Sequence, residues 1–310
     1  MRVEVQNLKK YFSKTRAVDD ISFSFSSGDI VGFVGPNGAG KTTTMRIMSA
    51  LDEPTHGDIF IDGVSILEYP EKAMHNIGYM PDSLPDHNDI TVHEFLDFFA
   101  RAFDLRGKKR KDVIEETEQF TNLSKLRSKT LKQLSKGMKQ RVSLARAIIH
   151  DPDILILDEP AAGLDPRARI ELLDMLRHLA SKRKAILVSS HILSELGEIC
   201  DSAIIIEKGK LLCSGKLDQL TSVQMLKNRK LFISHLDCAG MIADVLGSTL
   251  GVDNIKISKT VIEADISADD EQVASILESL IDGGCRITEF RTTGRSLSDI
   301  FMNITKGEVS

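Results

Sequence analysis

The chain has 310 residues, of which 42% are hydrophobic and 27% are charged, and its formal net charge is −5. This length suggests about two domains, and the ordinary hydrophobic share excludes widespread disorder. No run of about 18 apolar residues is present, and residues 1–12 lack the apolar segment of a signal peptide. We therefore expect a cytoplasmic chain that does not itself cross a membrane. The negative net charge argues against general nucleic-acid binding.

The first half of the chain alternates strand and helix patterns. Residues 2–8 and 17–25 are predicted strands, and residues 30–34 form a short apolar strand before a glycine-rich loop and a helix. Residues 154–157 and 185–188 are apolar runs typical of buried parallel strands. Helical spacing of apolar residues between these two runs completes an α/β pattern, with helices packed on a sheet.

Two segments depart from that pattern. Residues 92–149 have strong helical periodicity and almost no strand signal, so we expect a helical insertion at about 85–150. After residue 220 the order of predicted elements is β-α-β-β-α-β, which indicates a small ferredoxin-like α+β domain. The predicted domains are therefore 1–220 and 221–310.

The four cysteines give no sign of a metal site or a disulfide framework. They lie far apart in the chain and form no CxxC pair. In a chain expected to be cytoplasmic, we interpret them as reduced thiols. They are Cys200, Cys213, Cys238 and Cys285.

The glycine-rich loop fits the pattern GxxxxGK[ST] between an apolar strand and a helix. Its glycines let backbone N–H groups turn towards phosphate oxygens, and the helix N-terminus adds partial positive charge. Lys41 is expected to reach the β- and γ-phosphates of a nucleotide, and the Thr42 hydroxyl to ligate Mg²⁺. The residues assigned to nucleotide binding here are Gly35, Pro36, Asn37, Gly38, Ala39, Gly40, Lys41, Thr42 and Thr43.

The apolar strand 154–157 ends in two acids, Asp158 and Glu159. An acid at the carboxyl end of a strand beside a phosphate loop can hold Mg²⁺ directly or through water, and we assign this role to Asp158. Glu159 is then placed to polarise a water that attacks the γ-phosphate. Taken alone, the pair could be a solvated strand end before Pro160, but the phosphate loop favours the catalytic interpretation.

Residues 134–141 read Leu-Ser-Lys-Gly-Met-Lys-Gln-Arg and open a predicted helix with Ser135 as its N-cap. A capped helix N-terminus next to a glycine is suited to bind an anion. With the phosphate loop and the acid pair in this order, residues 1–220 resemble ABC transporter ATP-binding subunits, whose signature is LSGGQ. The resemblance implies that Ser135, Lys136 and Gly137 face the γ-phosphate of ATP bound by the other subunit of a dimer.

The resemblance implies further roles. Tyr11 lies where the family stacks an aromatic ring on adenine, and Val18 is assigned to the same ATP site. Asp165, in Gly163-Leu164-Asp165, belongs to a segment that resembles the D-loop, which crosses the dimer interface. His191 follows an apolar strand as the family's switch histidine does, and it joins Glu159 as a predicted catalytic residue.

Two residues depart from the family pattern. Asp82 stands where the family usually has a glutamine, and its shorter, charged side chain either binds Mg²⁺ through a water or takes no part in the metal site. Met138 stands where the signature often has glutamine. Because the backbone donors and the Ser135 hydroxyl remain, we expect little functional loss from this second change.

The resemblance implies an ATPase that uses ATP and Mg²⁺ and powers an exporter; residues 296–301 also look like the tail of exporter-type subunits. Its partners would be a second copy or a related cassette, and a polytopic membrane permease, with no nucleic acid. It would lie on the inner face of the cell membrane. The alternatives are an importer subunit with a ligand-sensing C-terminal domain, and a soluble ABC-type ATPase acting on ribosomes or DNA. The single phosphate loop and the absence of heptads argue against the last.

Overall fold

The computed structural model describes residues 1–13, 15–84, 89–191, 197, 199–217, 229–267 and 270–293. Residue contacts divide the chain into a first unit, Met1–Gly215, and a second unit, Lys216–Ser310. Residues 296–301, which the sequence analysis compares with exporter tails, lie outside the described residues. Within the described part of the chain, no helix is long and apolar enough to span a bilayer.

The described residues of the first unit form strands and helices that alternate along much of the chain. The strands are β1 Arg2–Phe12, β2 Thr15–Ser26, β3 Ile30–Val34, β4 His56–Ile61, β5 Val64–Ser65, β6 Ile77–Met80, β7 Ile154–Leu157, β8 Ala185–Ser190, β9 Ser202–Glu207 and β10 Lys210–Lys216. The helices are α1 Lys41–Met48, α2 Pro70–Asn76, α3 Val92–Ala102, α4 Gly107–Phe120, α5 Lys136–Ile148 and α6 Pro166–Ser181.

The central sheet of the first unit has six strands in the order β10-β9-β3-β8-β7-β6. Strand β3 pairs in parallel with β8 and β9, and β7 pairs in parallel with β6 and β8. Every residue of β3, β7 and β8 is buried, which explains why their sequences are continuous apolar runs rather than alternating ones. Parallel pairing brings the carboxyl ends of β3, β7 and β8 to one edge of the sheet.

The helical insertion lies between β6 and β7 and consists of α3, α4 and α5 with two 3₁₀ turns. It has its own apolar core, in which Phe95, Leu96 and Val142 are almost fully buried. A capping box starts α3, because Thr91 accepts a hydrogen bond from the N–H of Glu94 while Glu94 accepts one from the N–H of Thr91. The expected helical insertion is therefore present as a separately packed layer.

A second sheet of the first unit has the order β2-β1-β4-β5 and is antiparallel in its β1–β2, β1–β4 and β4–β5 pairs. The pairing of β1 with β2 is irregular, with register shifts after Val5, Leu8 and Lys10. Such shifts change which side chains face the same side of a strand. The last of them lies between Lys10 and Tyr11, close to the end of β1.

The second unit has the order β-α-β-β-α-β that the sequence analysis expects. Its elements are β11 Arg229–His235, α7 Ala239–Ser248, β12 Val252–Ile257, β13 Val261–Ile266, α8 Asp270–Asp282 and β14 Ile287–Thr293. The sheet order is β12-β13-β11-β14, and neighbouring strands pair antiparallel. Leu231, Ile233 and Ile262 of the sheet pack with Ile242 and Leu280 of the helices in one apolar core.

The ring of His150 is held in a neutral state where α5 ends. It stacks on Phe103 with ring centroids 3.7 Å apart, and Nε2 lies 3.1 Å from the carbonyl oxygen of Ile77. Among the described residues, Nδ1 is buried and has no hydrogen-bond partner. Burial is the main cause that lowers the pKa of His150 from 6.5 to about 4. The Nε2–H group therefore donates to Ile77.

We expect His150 to make stability depend on pH. Because the folded pKa lies below the unfolded one, its contribution is present above pH 6.5 and is lost as pH falls from 6.5 to about 4. Allowing for the partial exposure of the ring, the loss is about 2 kcal/mol. Urea unfolding of His150→Phe across this range should show a smaller loss than the wild type. The exposed His56→Asn serves as control, and equal slopes for His150→Phe and wild type would contradict the assignment.

Candidate active site

The glycine-rich loop joins β3 to α1. At two of its positions the neighbouring backbone lies so close that only glycine fits. Gly40 has a φ of 102°, and a Cβ there would collide with the carbonyl oxygen of Ala17. A Cβ at Gly35 would collide with the carbonyl oxygen of Ile206. The loop is therefore pressed against β2 and β9, which fixes its position at the carboxyl edge of the central sheet.

Lys41, the first residue of α1, is buried with 6% of its surface exposed. Its Nζ donates to the carbonyl oxygens of Gly35 at 2.7 Å and Pro36 at 3.4 Å. The same Nζ lies 3.3 Å from Oε1 of Glu159, whose Oε2 is 3.0 Å from Nδ1 of His191. The structure thus brings the predicted phosphate-binding lysine and both predicted catalytic residues into one chain of polar contacts.

Asp158 and Glu159 are positioned by a residue that sequence reasoning missed. Ser189, which is buried in β8, accepts a hydrogen bond from the N–H of Glu159 at 2.8 Å and donates to Oδ1 of Asp158 at 2.7 Å. Asp158 is 1% exposed, and its Oδ2 is buried without a hydrogen-bond partner among the described residues. Glu159 has a φ of 47°, a strained backbone state found at functional sites.

The negative charge of Asp158 affects the ionisation of Tyr79, which lies in β6. Burial, and then the negative charge of Asp158, raise the pKa of Tyr79 to about 12. Tyr79 is therefore a neutral phenol at physiological pH. The backbone of β6 is tied to the acid as well, because the N–H of Asp158 donates to the carbonyl oxygen of Met80 at 2.8 Å.

A cavity of about 790 Å³ opens beside this chain of contacts. It is lined by the loop and α1 residues 37–43, by both catalytic candidates and by Asp82, an exposed residue that follows β6. Basic side chains at residues 16 and 208 also reach it. The full lining is Phe12, Thr15, Arg16, Ala17, Asn37, Gly38, Ala39, Gly40, Lys41, Thr42, Thr43, Asp82, Glu159, Ala162, His191 and Lys208.

Tyr11 and Val18 do not line this cavity, and their assignment to the nucleotide site stays a prediction. The Tyr11 hydroxyl donates to Oδ1 of Asp19 at 3.3 Å, and Val18 is 1% exposed within the core. The aromatic ring at the cavity is Phe12, which is 49% exposed. Tyr11 and Phe12 pair in regular register with Arg16 and Thr15 after the shift between Lys10 and Tyr11, so the two neighbours face opposite sides of β1.

The predicted signature lies at a second cavity of about 450 Å³, which shares no lining residue with the first. Ser135 caps α5 by accepting from the N–H of Met138, and Asp165 caps α6 by accepting from the N–H of Ala168. A Cβ on Gly137 would lie 3.4 Å from that of Ala168, so the first turns of α5 and α6 pack closely. Two helix N-termini therefore meet here, which favours binding of an anion.

Lys136 extends from the same helix start towards the predicted D-loop. Its Nζ would lie 2.6 Å from a Cβ on Gly163, so the lysine side chain covers the backbone of that residue. Unlike Ser135 and Gly137, Lys136 does not line the second cavity. The structure thus brings the signature and D-loop segments together, and it separates both from the phosphate loop.

Helix α5 connects the second cavity with the first. Gln140 donates through Nε2 to the carbonyl oxygen of Asp82 at 3.2 Å. Six residues further on, the guanidinium of Arg146 donates to the carbonyl oxygen of Tyr79 at 2.6 Å, and burial lowers the pKa of this arginine. The signature helix is thus bonded to the backbone of β6 and to the segment that follows it.

Comparisons with known proteins agree on one family. A family model described as ABC transporter matches residues 18–162. The chain is 34% identical to the Bacillus subtilis (strain 168) protein named uncharacterized ABC transporter ATP-binding protein YhcH, over 98% of this chain and 95% of that protein. The Nod factor export ATP-binding protein I of Burkholderia lata is 35% identical over 69% of this chain and 70% of that protein.

A solved structure described as the ATP binding subunit of an ABC transporter has the same fold. It has a TM-score of 0.66 and 31% identity, over 72% of this chain and 93% of that chain. The first unit therefore has the P-loop NTPase fold of an ABC cassette, as the sequence predicts. With a phosphate loop, an acid pair and a signature helix in the family's order, this chain belongs to the ABC transporter ATP-binding proteins and is an ATPase of that family.

Proposed function

We propose that this ATPase powers export through a separate membrane permease, with Glu159 as the group that polarises the attacking water. The observation that carries the catalytic assignment is the chain of contacts from Lys41 through Glu159 to His191 at the first cavity. A carboxylate held between a lysine and a histidine beside a phosphate loop is suited to orient a water against a γ-phosphate.

Phosphate binding would change the contacts of Lys41. A bound β- or γ-phosphate offers this buried ammonium a counter-charge in place of the Glu159 carboxylate. Glu159 then stays hydrogen-bonded to His191 and gains freedom to accept a proton from water. Catalysis of phosphoryl transfer to water rests on such positioning and on charge stabilisation. Residues 35–43 would enclose the phosphates with their N–H groups.

Two residues near the phosphate loop offer oxygen ligands that fit Mg²⁺. Asp158, which precedes Glu159 and does not itself line the first cavity, has one carboxylate oxygen that is buried without a partner among the described residues, and Thr42 lines the cavity. Oxygen donors of this kind are the ligands that Mg²⁺ prefers. When bound, the ion would neutralise charge that develops on the β- and γ-phosphate oxygens. Asp82 lines the same cavity, and we propose that it takes part through a water.

We further propose that two cassettes act together, as a homodimer or with a related cassette. Ser135, Gly137 and Asp165 line a cavity that shares no residue with the phosphate site of the same chain. The anion site at the start of α5 is therefore available to a nucleotide held by a partner cassette. Lys136 would add a positive charge on that side, and closure of the dimer would follow from tighter nucleotide binding in the closed state.

The direction of transport rests on the relatives and on the C-terminal unit. The Nod factor relative carries export in its name, and export is the direction we propose for this chain. The similarity to YhcH spans 98% of this chain, so that relative shares the second unit as well. The permease would hold the protein at the inner face of the membrane.

Inside-out vesicles that contain chain and permease should accumulate substrate when ATP is added, and release of preloaded substrate would contradict export.

Glu159→Gln should reduce the rate of ATP hydrolysis at least about 100-fold, because the amide cannot accept the proton of the attacking water. ATP binding should persist, since Lys41 and residues 35–43 are intact, and gel filtration should then show an ATP-dependent dimer. Asp174→Asn, an exposed change on α6 away from both cavities, is the control. Hydrolysis by Glu159→Gln within a few-fold of wild type would refute the assignment.

Phe12→Ala should weaken binding of ATP about tenfold, because the loss of a stacked aromatic ring costs about 1–3 kcal/mol per base. The matched comparison is Tyr11→Ala, which removes the neighbouring aromatic ring, whose hydroxyl donates to Asp19, and should leave ATP affinity unchanged. Isothermal titration with a non-hydrolysable ATP analogue measures both. Weaker binding in Tyr11→Ala with normal binding in Phe12→Ala would identify Tyr11 as the adenine contact.

A further inference from the structure

Three sulfur atoms meet at one end of the second unit, although they are distant in sequence. Cys238 is the residue before α7, Met241 lies in the first turn of that helix, and Cys285 follows α8. The thiol of Cys285 contacts Sδ of Met241 at 3.3 Å, and Cys238 packs against the apolar core that contains Cys285. All three belong to the second unit, whereas the nucleotide site lies in the first.

The backbone holds these sulfurs in register. The N–H of Leu236 donates to the carbonyl oxygen of Arg286 at 3.1 Å, and the side chains of Asp237 and Arg286 form an ion pair. These contacts align the segment before Cys238 with the segment after Cys285. The register therefore does not depend on the thiols themselves.

Gly283 leaves the space that the thioether needs. A Cβ on Gly283 would lie only 2.7 Å from Sδ of Met241. The N–H of Cys285 donates to the carbonyl oxygen of Leu280 at 3.0 Å, which fixes the turn that follows α8. The turn thus presents the Cys285 thiol to Met241 without a side chain between them.

We propose that Cys238, Cys285 and Met241 form a binding site for a soft monovalent metal ion, Cu(I). Thiolate and thioether sulfurs are the ligands that select Cu(I) among biological metals. Binding replaces the two thiol protons: one Cu⁺ and two S–H groups give a copper dithiolate and two protons in solution, with no change of oxidation state. The thioether of Met241 completes a three-coordinate site.

The ligand set argues against zinc. Structural zinc needs four ligands in a tetrahedron, drawn from cysteine, histidine and carboxylate side chains. In the part of the chain that the structure describes, no three His, Cys, Asp or Glu side chains are arranged to hold a metal. His235 is close by: its Nδ1 accepts from the N–H of Cys238 at 3.4 Å, and its Nε2 is buried without a hydrogen-bond partner among the described residues. The group that contacts the Cys285 thiol is the Met241 thioether, a soft ligand that suits Cu(I).

The three sulfurs differ in their access to solvent. Cys285 is 8% exposed, so reagents in solution reach its thiol slowly. Cys238 is half-buried and Met241 is 43% exposed, so these two residues form the accessible side of the site. A metal ion displaces the thiol protons by coordination.

The test is a competition for Cu(I) between the full chain and bathocuproine disulfonate, under nitrogen and with ascorbate. The wild type should remove one equivalent of Cu(I) from the chromophore. Cys238→Ser and Cys285→Ser should each lower the affinity at least about 100-fold, and Met241→Leu about tenfold. Cys200→Ser and Cys213→Ser, which alter the other two cysteines, are matched controls and should bind as wild type.

A fold check and further variants make the copper experiment decisive. Circular dichroism checks the fold of Cys285→Ser, and the half-buried Cys238→Ser gives a second measurement if that variant unfolds. Lys41→Ala should bind Cu(I) as wild type, so that failure of the ATPase assignment would leave this result intact. Wild-type affinity in Cys238→Ser would overturn the proposal. It would also be overturned if glutathione disulfide oxidises Cys238 and Cys285 to a disulfide while the reduced chain takes up no copper.

Discussion

The contact between Lys41 and Glu159 is the interaction on which the active site depends. Both side chains are largely withdrawn from water, with exposed fractions of 6% and 15%, so each needs the other as a counter-charge. The carbonyl oxygen of Gly35 shares the lysine, which spreads the charge over the phosphate loop. A nucleotide phosphate can replace the carboxylate as partner of Lys41. In the proposed mechanism, the same pair therefore links phosphate binding to the release of the Glu159 carboxylate.

The order of strands in the central sheet makes that contact possible. Strand β8 lies between β3 and β7, so the phosphate loop, His191 and the acid pair all emerge from neighbouring strand ends. Ser189 uses the same neighbourhood, because its place in the adjacent strand β8 lets it bond both the backbone of Glu159 and the carboxylate of Asp158. In a parallel sheet the carboxyl ends of strands form such a common edge, and ligands bind there.

These physical relations explain what the sequence could and could not predict. The phosphate loop, the buried strands and the helical insertion follow from local patterns, because spacing and periodicity encode them directly. That Phe12 lines the first cavity could not be read from the sequence, because two adjacent aromatic residues of one strand give no sign of which one faces it. Ser189 could not be found either, because one hydroxyl in an apolar strand has no pattern of its own. The sulfur cluster of the second unit joins residues 47 positions apart in sequence, which only tertiary structure reveals.

Helix α5 shows how the segment at Asp82 can communicate with the signature although Asp82 replaces the family's usual glutamine. This helix has 13 residues, so at 1.5 Å per residue it is about 20 Å long. It starts at the signature, and its hydrogen bond from Gln140 reaches the segment after β6, where Asp82 lines the nucleotide cavity. A shift of that segment towards a bound nucleotide would move the signature end as well. The bond uses the backbone carbonyl of Asp82 rather than its side chain, so this link does not require the family's usual glutamine.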